Sequence, residues 1–279
     1  MRITKSIATV RQIRWQDATA SWGLVPTMGF LHEGHLSLVR AAKANNQFTA
    51  VSIFVNPTQF APTEDLSTYP RSLERDLALL EAEGVDLVFT PTDEVIYPAD
   101  FQTAVTVKEV TKPLEGASRP THFAGVATVV AKLFNIIQPT RAYFGQKDAQ
   151  QTVVLRQMVR DLNFNLELIV CPTVREADGL AMSSRNAYLT AEQREAAPLL
   201  FNTLTAVQNT IENGEKDLDK LRRQMIAQIN AEPLARLDYF SIADYNTLTE
   251  IDHPTDTLLV SLAVFFGKTR LIDNFIIST

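Results

Sequence analysis

Short apolar runs alternate with stretches of helical periodicity as far as residue 170. The run at 22–25 stops at Pro26, as a buried strand does, and apolar residues after it recur on one helix face. The same criteria predict strands at 50–55, 85–89, 103–107, 141–144 and 166–170, and helices at 72–83, at 125–137 and from 145 onward. Strands that alternate with helices form a parallel sheet with helices on both faces.

The pattern changes after Thr173. Helical patterns at 191–213 and 217–230 are followed by apolar runs at 238–243, 258–265 and 270–277. We therefore predict an α/β protein with a Rossmann-like doubly wound parallel sheet at 1–172 and a second, smaller α+β domain at 173–279. Ligands of such sheets bind beyond the carboxyl ends of the strands, so the loops after Val25, Val55 and Phe144 should share one rim.

The first of these loops carries two histidines, His32 and His35, at a strand-to-helix junction. Gly29 and Gly34 would let the backbone turn and approach a ligand, and a helix that begins near Gly34 would aim free N–H groups at it. Two imidazole rings would add donors for phosphate oxygens as charge builds on them. The loop is therefore predicted to serve phosphoryl or nucleotidyl transfer.

The two histidines also have simpler interpretations. An isolated His-x-x-His is more often a polar loop than a site. It could also bind zinc, but zinc takes three or four ligands, and the single cysteine, Cys171, comes without a second cluster of histidine or cysteine. We therefore predict no metal-ligand set and interpret Cys171 as a buried apolar side chain.

Lys147 follows a glycine at the end of a predicted strand, where its cation could neutralise phosphate charge at the same rim. The alternative is local, because Asp148 and Gln151 have the spacing of a capping box. That alternative leaves Lys147 unexplained.

The segment 174–186 combines an Asp-Gly turn with Ser183, Ser184 and Arg185. Mobile loops that bind phosphate need such hydroxyl and guanidinium groups. Alone, the segment would be an ordinary linker between domains, and only together with the histidine loop does it favour a site.

Other motifs give weaker evidence for a function. Gly267-Lys268-Thr269 resembles the end of a P-loop, but Leu262 stands where the first glycine is required. A G-x-G-x-x-G sequence follows none of the predicted strands, which argues against a dinucleotide oxidoreductase. The segment 115–123 could be a surface loop or part of a second-substrate site.

Composition narrows the function classes. The 279 residues are 46% hydrophobic, enough for a substantial core, and the net charge of −6 argues against a broad nucleic-acid or membrane surface. With one cysteine, no run of membrane-spanning length and no signal-peptide pattern at residues 1–5, we expect a cytoplasmic protein.

Together the motifs resemble one family, pantothenate synthetase, in the nucleotidylyltransferase superfamily related to class I aminoacyl-tRNA synthetases. The matching segments, in chain order, are PTMG at 26–29, HEGH at 32–35, FVNPTQF at 54–60, YPR at 69–71, RPTHFAGV at 119–126, FGQKD at 144–148 and MSSRN at 182–186. One departure is Gln146, where the family commonly has glutamate; we expect it to alter fine contacts rather than activity.

The resemblance implies that a homodimer condenses (R)-pantoate with β-alanine through a pantoyl adenylate. The reaction would use ATP with Mg²⁺ and would release AMP and pyrophosphate. His35 would be the catalytic acid, with His32, Lys147 and Arg185 also catalytic, and Gln59 and Gln151 would hold pantoate, with Gln59 also able to meet β-alanine. The residues expected around ATP are Pro26, Thr27, Met28, Gly29, Phe30, Leu31, His32, Glu33, Gly34, His35, Gly145, Gln146, Lys147, Asp148, Val174, Met182, Ser183, Ser184 and Arg185. The smaller domain would shield the adenylate from water.

Two rival functions stay open on the sequence. One is a nucleotidyltransferase of the same superfamily that leaves the nucleotide on its product. The other is a nucleotide-sensing module that has kept the fold without turnover, although His32, His35 and Lys147 argue against it.

Overall fold

Six parallel strands form the larger sheet. They are β1 (Arg2–Thr4), β2 (Trp22–Thr27), β3 (Phe48–Ile53), β4 (Leu87–Phe89), β5 (Arg141–Gly145) and β6 (Glu167–Cys171). In the computed structural model, which describes residues 1–62 and 64–279, their order is β1-β4-β3-β2-β5-β6. The chain builds outward from β2 through β3 to β4 and then crosses back to β5, so the direction of winding changes between β2 and β5.

Helices cover both faces of this sheet, as the alternating pattern predicts. They are α1 (Ile7–Arg14), α2 (Glu33–Asn45), α3 (Leu73–Ala82), α4 (Asp93–Ile96), α5 (Glu115–Ser118), α6 (His122–Ile137) and α7 (Ala149–Asp161). One core contains Trp22 and Phe134, and the core on the other face contains Leu80 and Tyr143. Continuously apolar strands such as β2 are typical of a sheet buried on both faces.

The rest of the chain forms a smaller α+β unit with a core of its own. Its elements are α8 (Ala191–Ala196), α9 (Leu199–Glu212), α10 (Leu218–Asn230), β7 (Ala235–Asp244), β8 (Thr257–Phe266) and β9 (Thr269–Ser278). The three strands are antiparallel in the order β7-β8-β9. The boundary between residues 172 and 173 stays a prediction. In the described residues no helix has the length and apolar character to cross a membrane.

The strand predicted at 103–107 is wrong, because in the described residues this segment belongs to neither sheet. It lies against α6, where the N–H of Val105 donates to the hydroxyl of Thr128 at 2.9 Å. Val105 and Val107 pack against the core below. Their alternation therefore comes from packing on a helix rather than from pairing with a strand.

The long helix predicted at 191–213 is also wrong in part, because α8 ends at Ala196 and α9 begins at Leu199. Pro198 lies at the break. Proline lacks the N–H that a continuous helix needs and clashes with the preceding turn. The pattern of apolar residues continues across the break because both helices pack on the same small sheet.

A buried ion pair ties the segment after β6 to β9. The guanidinium of Arg175 makes two bonds to Asp273, at 2.6 and 2.9 Å, and lies between the rings of Phe201 and Phe275. Asp273 is only 1% exposed. The pair fixes the base of the loop that leads to Ser183.

Asp273→Asn should destabilise the protein by on the order of 3 kcal/mol, because it leaves the guanidinium of Arg175 without a charged partner in a buried place. Urea unfolding followed by circular dichroism measures the free energy of unfolding. Glu109→Gln, which breaks an exposed pair with Lys112, is the control and should change stability by less than about 0.5 kcal/mol. Equal effects of the two substitutions would show that burial of the pair does not matter.

Candidate active site

The histidine loop turns sharply between β2 and α2. Gly29 has φ of +84° and Phe30 has φ of +50°, so two successive residues lie in the left-handed region. The carboxylate of Asp76 on α3, 1% exposed, holds this turn by accepting the N–H of Phe30 at 2.7 Å and that of Leu31 at 2.8 Å. Sequence reasoning missed Asp76, because an acid in an amphipathic helix has the pattern of a surface residue.

The two histidines cap the first turn of α2 reciprocally. His32 Nδ1 accepts the N–H of Gly34 at 3.2 Å, and His35 Nδ1 accepts the N–H of His32 at 3.3 Å. A backbone N–H can only donate, so both Nδ1 atoms are unprotonated and a neutral ring carries its proton on Nε2. Burial, with the nearby charge of Lys147, lowers the pKa of His32 to about 4. Burial, with His32 and Lys147, lowers the pKa of His35 to about 3.

Two of the N–H groups predicted to be free at the start of α2 are therefore already used. The N–H of Gly34 bonds to the ring of His32, and the N–H of His35 bonds to the carbonyl of His32 at 2.8 Å. The ring of His32 packs over Gly34, where a Cβ would lie 2.9 Å from Cε1. At the start of α2 the residue that lines the cavity is His35. A ligand would therefore meet the imidazole ring of His35 rather than a row of free backbone N–H groups.

Lys147 lies in a 3₁₀ turn, Gln146–Asp148, between β5 and α7. The side-chain amide of Asn274 on β9 donates to the carbonyls of Gln146 and Lys147 at 3.0 and 2.8 Å, so the smaller unit holds this turn. The capping box of Asp148 and Gln151, which the sequence offered as the alternative, does not form, because in the described structure Asp148 makes no side-chain capping bond. Its carboxylate lies 3.8 Å from Lys147 Nζ instead.

The serine-rich loop, which we define as residues 182–186, contacts the histidine loop. The hydroxyl of Ser184 donates to the carbonyl of Phe30 at 3.5 Å, and Ser183 accepts the N–H of Arg185 at 3.2 Å. Arg185 makes two bonds to Asp65, at 2.9 and 3.0 Å. The guanidinium thus has a carboxylate partner before any ligand arrives.

A cavity of about 1080 Å³ lies where these loops meet. The residues predicted to bind ATP or pantoate that line it are Pro26, Thr27, Met28, His35, Gln59, Lys147, Asp148, Gln151, Ser183 and Arg185. Three loops that are far apart in sequence therefore face one space at the carboxyl ends of β2, β3 and β5. Such a cavity between domains, with a few convergent polar groups, is typical of a small-molecule site.

In the described part of the chain, the other residues predicted to contact ATP do not line this cavity. They are Gly29, Phe30, Leu31, His32, Glu33, Gly34, Gly145, Gln146, Val174, Met182 and Ser184. Two of them make bonds that join the surrounding segments: the carbonyl of Phe30 accepts from Ser184, and the N–H of Leu31 donates to Asp76. The side chain of Glu33 pairs with Arg40 on the surface.

A cluster of charged residues also lines the cavity, and sequence reasoning left most of it out. Arg270 on β9 makes two bonds to the buried Glu115 on α5, at 2.7 and 2.9 Å, and also bonds Asp238. Arg119 makes two bonds of 2.6 Å to Glu64. The segment 115–123, for which the sequence left two interpretations open, thus contributes to the cavity wall and joins the two units.

Comparison with known proteins gives a consistent result. A model of the family described as pantoate-beta-alanine ligase matches residues 2–276. The pantothenate synthetase of Herpetosiphon aurantiacus is 59% identical over 277 residues, which cover 99% of this chain and 100% of that protein. The relative of the same name from Roseiflexus castenholzii is 60% identical over 273 residues, covering 97% and 98%.

Solved structures agree with the sequence relatives. The pantothenate synthetase of Thermus thermophilus has a TM-score of 0.93 at 46% identity over 99% of both chains. The pantoate-beta-alanine ligase of Francisella tularensis, described as complexed with beta-gamma ATP and beta-alanine, has a TM-score of 0.81 at 37% identity, covering 99% of this chain and 97% of that one. The chain therefore belongs to the pantoate–β-alanine ligase family, and it is a ligase.

Proposed function

We propose that this protein joins (R)-pantoate to β-alanine at the expense of ATP, through a pantoyl adenylate, and releases AMP and pyrophosphate. The observation that carries the proposal is the convergence of five groups on one cavity: His35, Lys147, the pair Ser183 and Arg185, Gln59 and Gln151. The Francisella relative is described with an ATP species and β-alanine, which supports ATP as a substrate here.

The lining suggests how the cavity is divided between substrates. The cation of Lys147 and the donors of His35 and Ser183 suit a triphosphate, and Arg185 could exchange part of its pairing with Asp65 for phosphate oxygens. The neutral amides of Gln59 and Gln151 suit a small hydroxy acid. We propose that the reacting carboxylate of pantoate lies between these two sets of residues.

In the first step a carboxylate oxygen of pantoate attacks the α-phosphorus of ATP, and the bond to the bridging oxygen of pyrophosphate breaks. The protein has to align the two reactants and stabilise charge on the phosphate oxygens. The neutral ring of His35, with its proton on Nε2, can donate a hydrogen bond to that charge. A ring whose pKa is about 3 acts as a fixed donor rather than as a carrier of a proton at neutral pH.

In the second step the amine of β-alanine attacks the acyl carbon and AMP leaves with the electrons of the acyl–oxygen bond. Water would destroy the intermediate, so the adenylate must be shielded. The contacts of Arg270 with Glu115 and of Asn274 with the Lys147 turn bring the smaller unit over the cavity. These contacts support the proposal that this unit excludes water.

Magnesium would enter with the nucleotide. Across residues 1–62 and 64–279 no three His, Cys, Asp or Glu side chains are grouped so as to hold a metal ion. Mg²⁺ commonly keeps several waters and binds substrate phosphates with one or two carboxylates, and Asp148 offers a carboxylate beside Lys147. We therefore treat Mg²⁺ as part of the ATP substrate.

Purified protein with Mg-ATP, pantoate and β-alanine should form AMP and pyrophosphate in equal amounts, and without β-alanine it should retain one pantoyl adenylate per site. Chromatography and mass spectrometry of the quenched mixture identify the products. ADP with phosphate would exclude the mechanism. A released product that keeps the nucleotide would favour the rival nucleotidyltransferase, and ATP binding without pyrophosphate release would favour the sensing module.

His35→Asn should slow adenylate formation by roughly 30-fold to 900-fold, equivalent to about 2–4 kcal/mol, because it removes one preorganised donor. Asparagine can still offer an acceptor near the position of Nδ1, so the capping bond to His32 has a substitute. Single-turnover pyrophosphate release measures the rate. His253→Asn, at an exposed site, is the control, and a normal rate for His35→Asn would reject the role of His35.

In the ligand-free protein, His32 and His35 should stay neutral from pH 8 down to about 5, because their pKa values lie at about 4 and 3. The unfolded chain binds these protons near pH 6.5, so the stabilising contribution of the neutral rings is complete above that pH. It is lost as the pH falls to about 4 for His32 and to about 3 for His35. Imidazole ¹⁵N shifts measure the titration, with His253 as an internal reference whose pKa Asp252 raises. Titration of either ring near pH 6.5 would contradict the role of a neutral donor.

A further inference from the structure

The side-chain amide of Gln59 is oriented by a chain of polar groups that starts at a backbone carbonyl outside the cavity. Asn56, 1% exposed, places its Nδ2 3.2 Å from the carbonyl oxygen of Gly125 on α6. A carbonyl oxygen can only accept, so the atom of Asn56 that faces it must be the NH₂ group. The amide of Asn56 therefore has one possible orientation.

The second N–H of this amide fixes Gln59 in turn. Asn56 Nδ2 lies 3.1 Å from the side-chain oxygen of Gln59, so Gln59 presents that oxygen to Asn56 and its NH₂ group to the cavity. There Gln59 Nε2 lies 3.2 Å from the sulfur of Met28, a weak acceptor. Gln59 thus meets a substrate as a donor, and the group it selects is an acceptor oxygen.

The other end of the Asn56 amide is held by two hydroxyls. Asn56 Oδ1 accepts from Tyr97 at 2.8 Å and from Thr58 at 2.9 Å. The ring of Tyr97 packs between Phe54 and Phe101, with centroids at 6.3 and 5.1 Å. Tyr97 thus acts on Asn56 from outside the cavity.

The backbone of Gln59 is fixed as well. Its carbonyl oxygen accepts hydrogen bonds from His122 Nδ1–H at 2.9 Å and from a guanidinium N–H of Arg119 at 3.3 Å. Gly125 lets α6 pack directly on this turn, because a Cβ there would lie 2.4 Å from the carbonyl oxygen of Thr58 and 2.7 Å from the N of Gln59. Once the backbone of Gln59 is fixed, the orientation of its side-chain amide is still to be set, and the bond from Asn56 sets it.

We propose that Tyr97 is a positioning residue for the acid substrate: through Asn56 it keeps Gln59 turned so that its NH₂ group faces pantoate. The inference deepens the proposed function and rests on it. It assigns to Tyr97 an effect on the binding of pantoate and none on the binding of ATP.

Tyr97→Phe keeps the ring and removes one donor to Asn56, so the KM for pantoate should rise roughly threefold to tenfold. The KM for ATP should change by less than about twofold, because within the described residues the side chain of Tyr97 bonds Asn56 and Thr58 and none of Lys147, His35, Ser183 and Arg185. Steady-state pyrophosphate release measures both values. Tyr245→Phe is the matched control, since its hydroxyl bonds Arg156 away from the cavity, and it should change neither KM.

An unchanged KM for pantoate in Tyr97→Phe would overturn the proposal, and so would a parallel rise in the KM for ATP, which is what general loosening of the fold produces. A ligand-free measurement separates this failure from failure of the proposed function. If the wild-type protein makes no AMP, solvent exchange of the Asn56 side-chain NH₂ followed by ¹⁵N NMR still tests the arrangement. That exchange should be slow in the wild type and faster in Tyr97→Phe, and equal rates would reject the role of Tyr97.

Discussion

The site depends on the reversal of winding between β2 and β5. Parallel neighbours end at the same edge of the sheet, and where the winding reverses, the two following loops diverge and leave a crevice between them. The histidine loop follows β2 and the Lys147 turn follows β5, so these loops lie on the two sides of that crevice. Strand β3, on the other side of β2, brings Asn56 and Gln59 to the same rim.

Buried polar side chains then hold each of these loops in place. Asp76 holds the histidine loop, Asn274 holds the Lys147 turn, and Asn56 holds Gln59. Each of these bonds goes to a backbone group or to an amide, so it sets a position or an orientation. The two histidines stay neutral mainly because burial lowers their pKa values, and the positive charge of Lys147 lowers them further.

Much of the fold follows from the order of apolar runs, because a strand buried on both faces must be apolar and a crossover helix must be amphipathic. The strands β2 to β6 and the three long strands of the smaller sheet could be predicted in this way. The edge strand β1 could not, because three residues are too few to show a pattern. The segment 103–107 alternates like a strand because a helix can supply the same apolar surface as a sheet.

The site could be predicted as far as the motifs carry reactive side chains. The residues that hold these side chains in place could not be predicted. Asp76 and Tyr97 belong to no recognisable motif, and they acquire their roles only through contacts with residues at least 41 positions away in sequence. The resemblance to a family supplied roles that spacing alone did not give, such as those of Gln59 and Gln151. The charged cluster of Glu115 and Arg270 depends on two units that meet only in the folded chain.

The central claim is that one cavity aligns ATP with pantoate. A crystal structure of the protein with pantoate and a non-hydrolysable ATP analogue tests it most directly. We expect a carboxylate oxygen of pantoate roughly 3–3.5 Å from the α-phosphorus, with Lys147 and His35 on the phosphates and the NH₂ group of Gln59 on pantoate. A triphosphate bound away from His35 and Lys147, or pantoate bound out of reach of the α-phosphorus, would contradict the account.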